Sequence, residues 1–422
     1  MPILLRQARI IDPKSKFHQK TCDIRVENGV ITAIGDKLDS SGGDQEIQAD
    51  GLCVSPGWLD MRARFGEPGF EYKEDLRSGA QVAASGGFTA VALLPDTEPV
   101  AQTKADIEFI ANKSRTLGVD VLPYGALTQD LAGEEITEMF DMQNSGAVAF
   151  SNAGNSVKSG TMQRALLYAK GIDGLIQVLA QEGSLVRGGQ MHEGYYSTLL
   201  GLKGIPAHAE SIAIHRDIEL LRYTGGKLHF NLISTAEGLD LIRQAKKDGL
   251  AVSCDVAAYQ LLLDDSIMED YNTLYKVFPP LRDKNHVEAM KAAVLDGTID
   301  AVVSNHHPED PEHKDVEFDY AAFGMSAMQQ TYNILLLAMG DQLSDERLVE
   351  LLSLNPRALL NQNLDSIAEG AEANLTMFSR SMKTQFSSGI NKSKARNNPF
   401  LNAEMPGKCI GIITKGQAQI NA

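Results

Sequence analysis

Short apolar runs recur along the whole chain, and their spacing changes near Cys53. Before that point brief strand-like runs alternate with turns, and Asn28-Gly29 is a typical hairpin signal. Strand-like runs separated by polar stretches return near the other end, at residues 374–378 and 409–414. The pattern predicts that both terminal segments are β-rich and pair into one small β domain.

Between these segments, strand-like runs alternate with stretches of helical periodicity. Eight runs are predicted, at residues 54–61, 89–94, 119–124, 147–150, 175–180, 228–233, 251–254 and 299–303. Eight such units are the number required by a parallel (β/α)8 TIM barrel of the α/β class. An open doubly wound sheet is the alternative, but no glycine-rich phosphate loop follows the first strand. We therefore expect the barrel at 54–365 and the β domain at 1–53 and 366–422.

Charge and cysteine usage narrow the class of protein. The formal net charge of −16, without a basic stripe, argues against binding to nucleic acid or to an anionic membrane. The four cysteines lie far apart and form no C-x-x-C pair, which argues against a zinc ribbon or a disulfide scaffold. The chain also lacks a signal-like start and an apolar run of membrane-spanning length. We expect a cytoplasmic protein.

Two arginines, Arg62 and Arg64, follow each other at a spacing of two at the end of the first barrel strand. Residues two apart on a strand face the same side, so both guanidinium groups should enter one pocket. They carry a permanent charge and no lone pair for a metal, and buried guanidinium groups need partners. We expect carboxylates at Asp60, Asp96 or Asp255 to supply them, in a network that replaces a metal as the electrostatic centre.

Several longer motifs resemble those of dihydroorotases of the multifunctional-complex type, which belong to the cyclic amidohydrolase superfamily. They are PGWLD at 56–60, EPGFEYKED at 67–75, GGFT at 86–89, GIPAHAE at 204–210 and PPLR at 279–282. The resemblance extends over almost the whole chain. It implies a TIM barrel with a small β-sandwich built from both termini, a zinc centre, and the reversible closure of carbamoyl-aspartate to dihydroorotate.

Position by position, the resemblance places the family's metal ligands and catalytic aspartate on residues of other types. Two first-strand histidines, a bridging aspartate, two further histidines and the catalytic aspartate fall on Arg62, Arg64, Asn152, Leu179, Leu232 and Asn305, respectively. Zinc needs deprotonated nitrogen, sulfur or oxygen donors. We therefore predict neither an intact catalytic residue nor a bound cofactor, where the family would use zinc.

The same comparison gives five positions for the substrate pocket. A substrate-binding arginine falls on Gly66, and two substrate-contacting asparagines fall on Asp96 and Phe278, whereas Asp255 and His306 lie at the ends of other strands. A separate group, His306, His307, Glu309, Asp310 and His313, could hold a metal or form an acidic, solvated loop. Adjacent histidines on an extended segment face opposite ways, so at most one of the pair could join such a site.

These observations favour a pseudoenzyme, a non-catalytic member of the dihydroorotase family. Such relatives assemble with aspartate transcarbamoylase, so the resemblance implies that enzyme as partner, and we expect a homo-oligomer. One alternative is an active dihydroorotase, or a related cyclic amidohydrolase, with a rearranged or metal-free site that uses Asp96, Asp255 or His306 for proton transfer. Another is a sensor that binds an anionic pyrimidine precursor without chemistry.

Overall fold

The computed structural model describes residues 2–40 and 42–421, so residues 1, 41 and 422 of the expected terminal segments lie outside the described residues. The strands are β1 Ile3–Ile10, β2 Thr21–Glu27, β3 Val30–Gly35, β4 Gln45–Ile47, β5 Cys53–Pro56, β6 Trp58–Ala63, β7 Phe88–Leu93, β8 Asp120–Pro123, β9 Gly125–Ala126, β10 Phe150–Ser151, β11 Leu175–Val178, β12 Met191–His192, β13 Gly204–Ile205, β14 Lys227–Phe230, β15 Val252–Ala257, β16 Ala301–Val303, β17 Leu375–Gln385, β18 Glu404–Thr414 and β19 Gln417–Ile420. The helices are α1 Leu76–Ser85, α2 Lys104–Ser114, α3 Met139–Asn144, α4 Ser159–Gly171, α5 Gly183–Val186, α6 Tyr195–Leu200, α7 His208–Thr224, α8 Ala236–Lys247, α9 Lys284–Asp296, α10 Pro311–Lys314, α11 Thr331–Met339, α12 Asp345–Val349 and α13 Asn355–Leu359.

Strands from both ends of the chain lie in one sheet, in the order β19-β18-β17-β5-β1-β2-β3, with β4 against β1. The antiparallel pairing of β17 with β5 joins the last part of the chain to the first. The sheet has its own apolar core, which includes Leu5, Ile24, Val54, Met377 and Ile413. The two terminal segments therefore stabilise each other.

A second set of strands is parallel and pairs in chain order. β6 pairs with β7 and β7 with β8, and a six-stranded sheet continues in the order β9-β10-β11-β14-β15-β16. A parallel bridge between Ala63 and His306 then joins the segment after β16 to β6. In a doubly wound sheet the strand order reverses, and no such reversal occurs here among the described strands. Helices occur between most of these strands, so the fold is α/β.

The predicted first barrel strand at 54–61 is divided between the two sheets. Residues Cys53–Pro56 pair with β17 and β1, and Trp58–Ala63 pair with β7. The chain crosses at Gly57, where an added Cβ would lie 2.1 Å from Asn374 Oδ1. The expected boundary after residue 53 therefore cuts a strand of the terminal sheet. The apolar run does not show this break because residues on both sides of Gly57 are buried.

Aromatic and polar contacts fix the parallel strands against the terminal sheet. The Trp58 ring lies 5.4 Å from that of Phe378 and 5.3 Å from that of Tyr332. Arg357 donates to Gly57 O and Thr89 Oγ1, both at 2.7 Å. With both layers anchored, the carboxyl-terminal ends of the parallel strands are held in fixed relative positions.

Two absences noted in the sequence can be compared with the structure. The four cysteines are buried and free, in agreement with the prediction that they form no disulfide scaffold. Among residues 2–40 and 42–421, no helix is long and apolar enough to cross a membrane.

Candidate functional site

Arg62 lies at the carboxyl-terminal end of β6 and is only 1% exposed. Its Nε donates to Asn305 Oδ1 at 3.1 Å, and its Nη1 donates to Asn231 Oδ1 at 3.4 Å. Burial, reinforced by the charge of Arg64, lowers the pKa of Arg62 to about 10. Arg62 therefore stays protonated near neutral pH, and its charge is held by amide dipoles rather than by a direct ion pair.

Asn231 connects Arg62 to the carboxylate of Asp255. Its Oδ1 accepts from Arg62, and its Nδ2 donates to Asp255 Oδ2 at 2.9 Å. Asp255 also accepts from His229 Nε2 at 2.9 Å and from the backbone N–H of Leu232 at 2.6 Å. The carboxylate expected beside the arginines is thus coupled to Arg62 through an amide, and its oxygens are occupied by groups of β14 and the residues after it.

Asp60, the other expected partner on the same strand, faces a different group. Its oxygens accept from the backbone N–H and hydroxyl of Ser304 and from the backbone N–H of Arg62. Burial raises the pKa of Asp60 to about 7. The expectation that Asp60 pairs with a guanidinium was therefore wrong, because Ser304 and the strand backbone already use its oxygens.

Arg64 has the carboxylate partner that the sequence led us to expect. Its Nε donates to Asp96 Oδ2 at 2.6 Å, and its Nη2 donates to Ala153 O at 3.1 Å. Burial opposes ionisation of Asp96, but the charge and hydrogen bond of Arg64 hold its pKa below the ordinary value. The ion pair connects the segments that follow β6 and β7, and the carbonyl ties it to the segment after β10.

His307 extends this network toward two further charged groups. Its Nδ1 lies 3.5 Å from Arg64 Nη1, and its Nε2 lies 3.2 Å from Glu309 Oε1. Lys73 Nζ completes the row, at 2.8 Å from Glu309 Oε2. Burial and the charge of Arg64 lower the pKa of His307 to about 4, so the imidazole is neutral near pH 7. A neutral ring that accepts at Nδ1 and donates from Nε2 satisfies both contacts.

A cavity of about 180 Å3 opens beside Arg64. It is lined by Arg64, Phe65, Gly66, Phe70, Lys73, Leu94, Asp96, Thr97, His307 and Pro308. At Gly66 an added Cβ would lie 2.4 Å from Phe70 O, so the backbone as it stands has no room for a side chain there. Gly66 and Asp96, two of the five predicted substrate-pocket positions, therefore meet at this cavity.

The other three predicted pocket positions lie outside the lining of that cavity. Asp255 is enclosed by the groups around Asn231, and Phe278 packs edge-on against Phe323 at 5.7 Å between ring centres. His306 is fully buried, with Nδ1 3.5 Å from Ser326 Oγ and Nε2 3.6 Å from Glu74 Oε2. His306 and His307 face opposite ways, as expected for neighbours on an extended segment.

The two asparagines at predicted metal and catalytic positions have their amides engaged. Asn152 Oδ1 accepts from Thr128 Oγ1 at 2.7 Å, while its Nδ2 donates to Leu131 O at 3.1 Å. Asn305 accepts from Arg62 and donates from Nδ2 to Tyr259 Oη at 2.7 Å. Asn305 also has a left-handed backbone, with φ of 45°, a conformation that asparagine tolerates better than most residues. Both side chains act as hydrogen-bonding links between strand ends.

The remaining two positions, Leu179 and Leu232, are buried members of the apolar core. Leu232 has φ of 54°, which is uncommon for a bulky residue, and the bond from its N–H to Asp255 helps to hold it. The set of Arg62, Arg64, Asn152, Leu179, Leu232 and Asn305 therefore offers guanidinium, engaged amide and hydrocarbon groups. It does not fit zinc, which binds deprotonated nitrogen, sulfur or oxygen.

Within the part of the chain that the structure describes, one group of possible ligands, His192, Asp283 and His286, lies within 4.8 Å. Arg282 Nη1 is 3.1 Å from His192 Nδ1, and the backbone N–H of Ala236 donates to His286 Nδ1 at 3.1 Å. An Nδ1 that accepts leaves the proton of a neutral imidazole on Nε2. Neither ring then presents a free lone pair to a cation, so this group does not fit a metal either.

The histidine and acidic group after β16 is held by internal ion pairs. His313 Nδ1 lies 3.4 Å from Glu309 and 3.2 Å from Asp310, while His307 bonds to the other oxygen of Glu309. Among the described residues it does not bring three ligand atoms within the same 4.8 Å. The group therefore resembles the second interpretation of this segment, a charged loop, although Glu309 itself is buried.

Four residues that the sequence reasoning did not assign to the site take part in it: Asn231, His229, Tyr259 and Ser304. His229 and Asn231 are two apart at the end of β14, so the alternation used for Arg62 and Arg64 could have placed them in the same interior. Ser304 directly precedes Asn305. Their partners could not be read from the sequence because the contacts join strands that are distant along the chain.

Comparisons with known proteins agree with the resemblance seen in the sequence. A family model described as Dihydro-orotase-like matches residues 51–238. A protein described as dihydroorotase from Citrifermentans bemidjiense is 38% identical over 100% of both chains. A second, from Acetivibrio thermocellus, is 38% identical over 99% of both, and a third, from Geobacter sulfurreducens, is 40% identical over 99% of this chain and 98% of its own.

Solved structures give the fold independently. The L-hydantoinase (dihydropyrimidinase) from Arthrobacter aurescens has a TM-score of 0.87 at 21% identity, covering 100% of this chain and 97% of its own. A D-hydantoinase from Thermus sp. has a TM-score of 0.83 at 22% identity, covering 99% and 95%. The α/β fold is therefore that of these enzymes. On the strength of its full-length relatives, this chain belongs to the dihydroorotase family of the cyclic amidohydrolase superfamily.

Proposed function

We propose that this member of the dihydroorotase family is non-catalytic and serves as a protein partner of aspartate transcarbamoylase. The observation that carries the first part is the environment of Arg62. Its buried guanidinium bonds to Asn305 and Asn231 at the point where the resemblance places a metal ligand and the catalytic aspartate. A cation of the protein thus occupies the centre where the family's chemistry needs an electrophilic metal.

The loss of hydrolysis follows from the chemistry of these groups. A hydrolytic zinc lowers the pKa of its bound water toward 7 and so supplies hydroxide. A guanidinium has no vacant coordination position, and the amide of Asn305 cannot accept a proton from water as a carboxylate does. Asn305 is also committed to Arg62 and Tyr259. The proposed centre is electrostatic and structural, with no base next to a bound water.

The partner role rests on the contrast between the rebuilt centre and the complete fold. Arg62, Asn231, Asn305 and Asp255 bond to one another. The α/β fold matches solved relatives over the whole chain. A chain that keeps its fold without its hydrolytic groups retains an outer surface, which is what an assembly uses. We propose that it acts as a cytoplasmic homo-oligomer.

We infer a matching architecture for the whole protein. The parallel strands from β6 to β16, with the bridge at Ala63, are taken to close into a (β/α)8 barrel. The terminal strands are taken to form a β-sandwich domain beside it, with its first part ending at Pro56 rather than at residue 53. Residue 365 is retained as the end of the barrel domain.

Activity is tested by metal analysis and by dihydroorotate hydrolysis with and without added zinc. The relative from Acetivibrio thermocellus, assayed in parallel, is the positive control. We expect substoichiometric zinc and a rate equal to the uncatalysed background. Stoichiometric metal together with zinc-dependent turnover would refute the non-catalytic role.

Partnership is tested by co-expression with aspartate transcarbamoylase from the same organism, followed by sedimentation velocity at micromolar concentrations. We expect one co-sedimenting species that contains both chains. The matched comparison is each protein alone, which also gives the oligomeric state of this chain. Two species that sediment independently in the mixture would contradict the assembly.

A second candidate, a sensor of an anionic pyrimidine precursor, is favoured by the cavity beside Arg64. That cavity combines Arg64 and Lys73 with the amphoteric imidazole of His307. Calorimetric titration with carbamoyl-aspartate and with orotate separates this role from the first. Saturable heat that disappears in Arg64→Gln supports a sensor, and no heat at millimolar ligand counts against it. The names of the relatives support the remaining alternative, active dihydroorotase, which the turnover assay addresses.

A further inference from the structure

A second cavity, of about 400 Å3, lies where α1 and α11 meet the terminal sheet. It is lined by Gln81, Ala84, Ser85, Gln329, Gln330, Asn333, Thr384, Phe386, Ile390, Lys392, Lys408, Cys409, Gln419, Ile420 and Asn421. Its volume falls within the range of about 300–1,000 Å3 typical of small-molecule sites. It shares no lining residue with the cavity beside Arg64.

The charge of this lining is unusual for so acidic a protein. The chain carries a net charge of −16, yet the lining contains no aspartate or glutamate and includes Lys392 and Lys408. Neither ammonium group has a carboxylate within ion-pair distance among residues 2–40 and 42–421. Lys383, on the same sheet, is by contrast paired with Glu404 at 2.7 Å. The cavity therefore has a local positive potential with nothing in the protein to neutralise it.

Gln330 supplies a donor without an acceptor. Its side chain is buried, with 1% of the residue exposed, and its Nε2 has no hydrogen-bond partner. The orientation of this amide is fixed, because Oε1 accepts from Asn398 Nδ2 at 2.6 Å, and Asn398 Oδ1 in turn accepts from the backbone N–H of Phe400 at 2.9 Å. An unpaired buried donor is costly, so this N–H group calls for an external oxygen.

Two asparagines of the lining offer acceptors. Asn333 Nδ2 donates to Gly407 O at 2.8 Å, and Asn421 Nδ2 donates to Cys409 O at 3.0 Å. Each amide is therefore oriented by the backbone through its nitrogen. Within the described chain, their Oδ1 atoms accept no hydrogen bond, so both can receive an N–H or O–H group.

We propose that this cavity is a binding site for a small organic anion, a phosphate or a carboxylate, that also carries N–H or O–H donors. The anionic group lies with Lys392, Lys408 and the Nε2 of Gln330, and the donors face Asn333 and Asn421. Because the cavity is lined by residues of α1, α11 and the terminal sheet, its occupant stabilises the packing of that sheet on the rest of the fold. The proposal does not depend on whether the Arg62 centre is catalytic.

The probes are uridine 5′-monophosphate, orotate and uridine, titrated calorimetrically into the full chain. The first two share a pyrimidine ring and differ in whether the anion is phosphate or carboxylate, and uridine lacks the anion. We expect at least one anion to bind with a Kd below about 1 mM and uridine to give no heat. Failure of both anions at about 10 mM would overturn the proposal.

Variants assign the binding to this cavity. Lys408→Gln removes one cation, and Gln330→Glu keeps Oε1 for Asn398 while replacing the free donor with a negative oxygen. Each is expected to weaken anion binding about tenfold or more, since a charge-assisted hydrogen bond is lost. The control Lys383→Gln is expected to leave binding unchanged, and thermal melting of each variant reports whether it is folded. Equal affinity in folded Lys408→Gln, folded Gln330→Glu and the wild type would place the anion elsewhere and refute the site.

Discussion

Arg64 and Asp96 form an ion pair, with 2.6 Å between Nε and Oδ2, across the ends of the first two parallel strands. Arg62, only two residues earlier, has no ion pair with a carboxylate in the part of the chain that the structure describes and relies on two asparagine amides. One strand end thus holds two guanidinium groups by different means. The half-buried one has a direct counter-charge, and the fully buried one is coupled to Asp255 through Asn231.

Removal of the buried guanidinium should be costly. In Arg62→Met, Asn305 and Asn231 lose their donor, and Asp255 loses the nearby positive charge. We expect the free energy of unfolding to fall by about 3–5 kcal/mol, as when one partner of a buried charge network is removed. Urea unfolding measures this loss. The control Arg64→Met, at a more exposed position, should lose clearly less, and an equal loss in both variants would contradict the special role of Arg62.

Asp60 should make the protein less stable as the pH rises through the acidic range. Its pKa is about 7 in the folded state and 3.8 in the reference state. Between these values the unfolded chain has released the proton that the folded chain retains, so rising pH favours unfolding. Asp60→Asn should remove this slope. Unfolding free energies of wild type and variant between pH 4.5 and 7.5 (roughly the window set by the two pKa values) give the comparison.

The control for that experiment is Asp240→Asn, at an exposed helical carboxylate that pairs with Arg243 on the surface. It should leave the pH slope of the wild type in place. If Asp60→Asn follows the same slope as this control, the buried carboxyl is not the source of the pH dependence.

Arg64 should control the protonation of His307. Burial and the charge of Arg64 together lower the pKa of His307 to about 4. Arg64→Gln removes the charge and should raise that pKa by about one unit or more. Glu309→Gln removes a carboxylate that favours the protonated ring and should lower it. Histidine ring chemical shifts followed by NMR across pH report both changes. Shifts of the same sign in the two variants would be inconsistent with this network.

Gly66 should tolerate no side chain. An added Cβ would lie 2.4 Å from the carbonyl oxygen of Phe70, a backbone atom that cannot move without disturbing the 66–70 turn. Gly66→Ala should cost about 1–3 kcal/mol of stability through overpacking. At Gly171, the last residue of α4, an added Cβ meets nothing within 4 Å, so Gly171→Ala is the matched control and should be neutral or slightly stabilising. Equal stability of the two variants, measured in urea, would show that the loop adapts.

Much of the fold could be predicted because its signals are local. Apolar runs near β7, β11 and β14 gave these strands to within a few residues, since burial on both faces of a parallel strand leaves a continuous apolar sequence. The same property concealed the break at Gly57. Residues before and after it are equally apolar, and only pairing with β17 or β7 distinguishes them.

The site was harder to predict because its contacts depend on side-chain orientation across strands. The spacing of Arg62 and Arg64 correctly placed both in the interior, and Asp96 was found as a partner. The amide of Asn231 was missed as the link to Asp255, because a neutral residue is not an obvious counterpart for a charge. Asp60 was misassigned since nothing in the sequence indicates that Ser304 lies closer to its oxygens.

The links from Arg62 to Asn231 and Asn305 also bear on how the protein matures in the cell. All three groups are covalent parts of the polypeptide, so the interior is complete as soon as the chain has folded. No metal insertase or cellular zinc reserve is required at this step. Cells grown with a strong chelator should therefore accumulate the folded protein at the same yield as cells grown in zinc-replete medium.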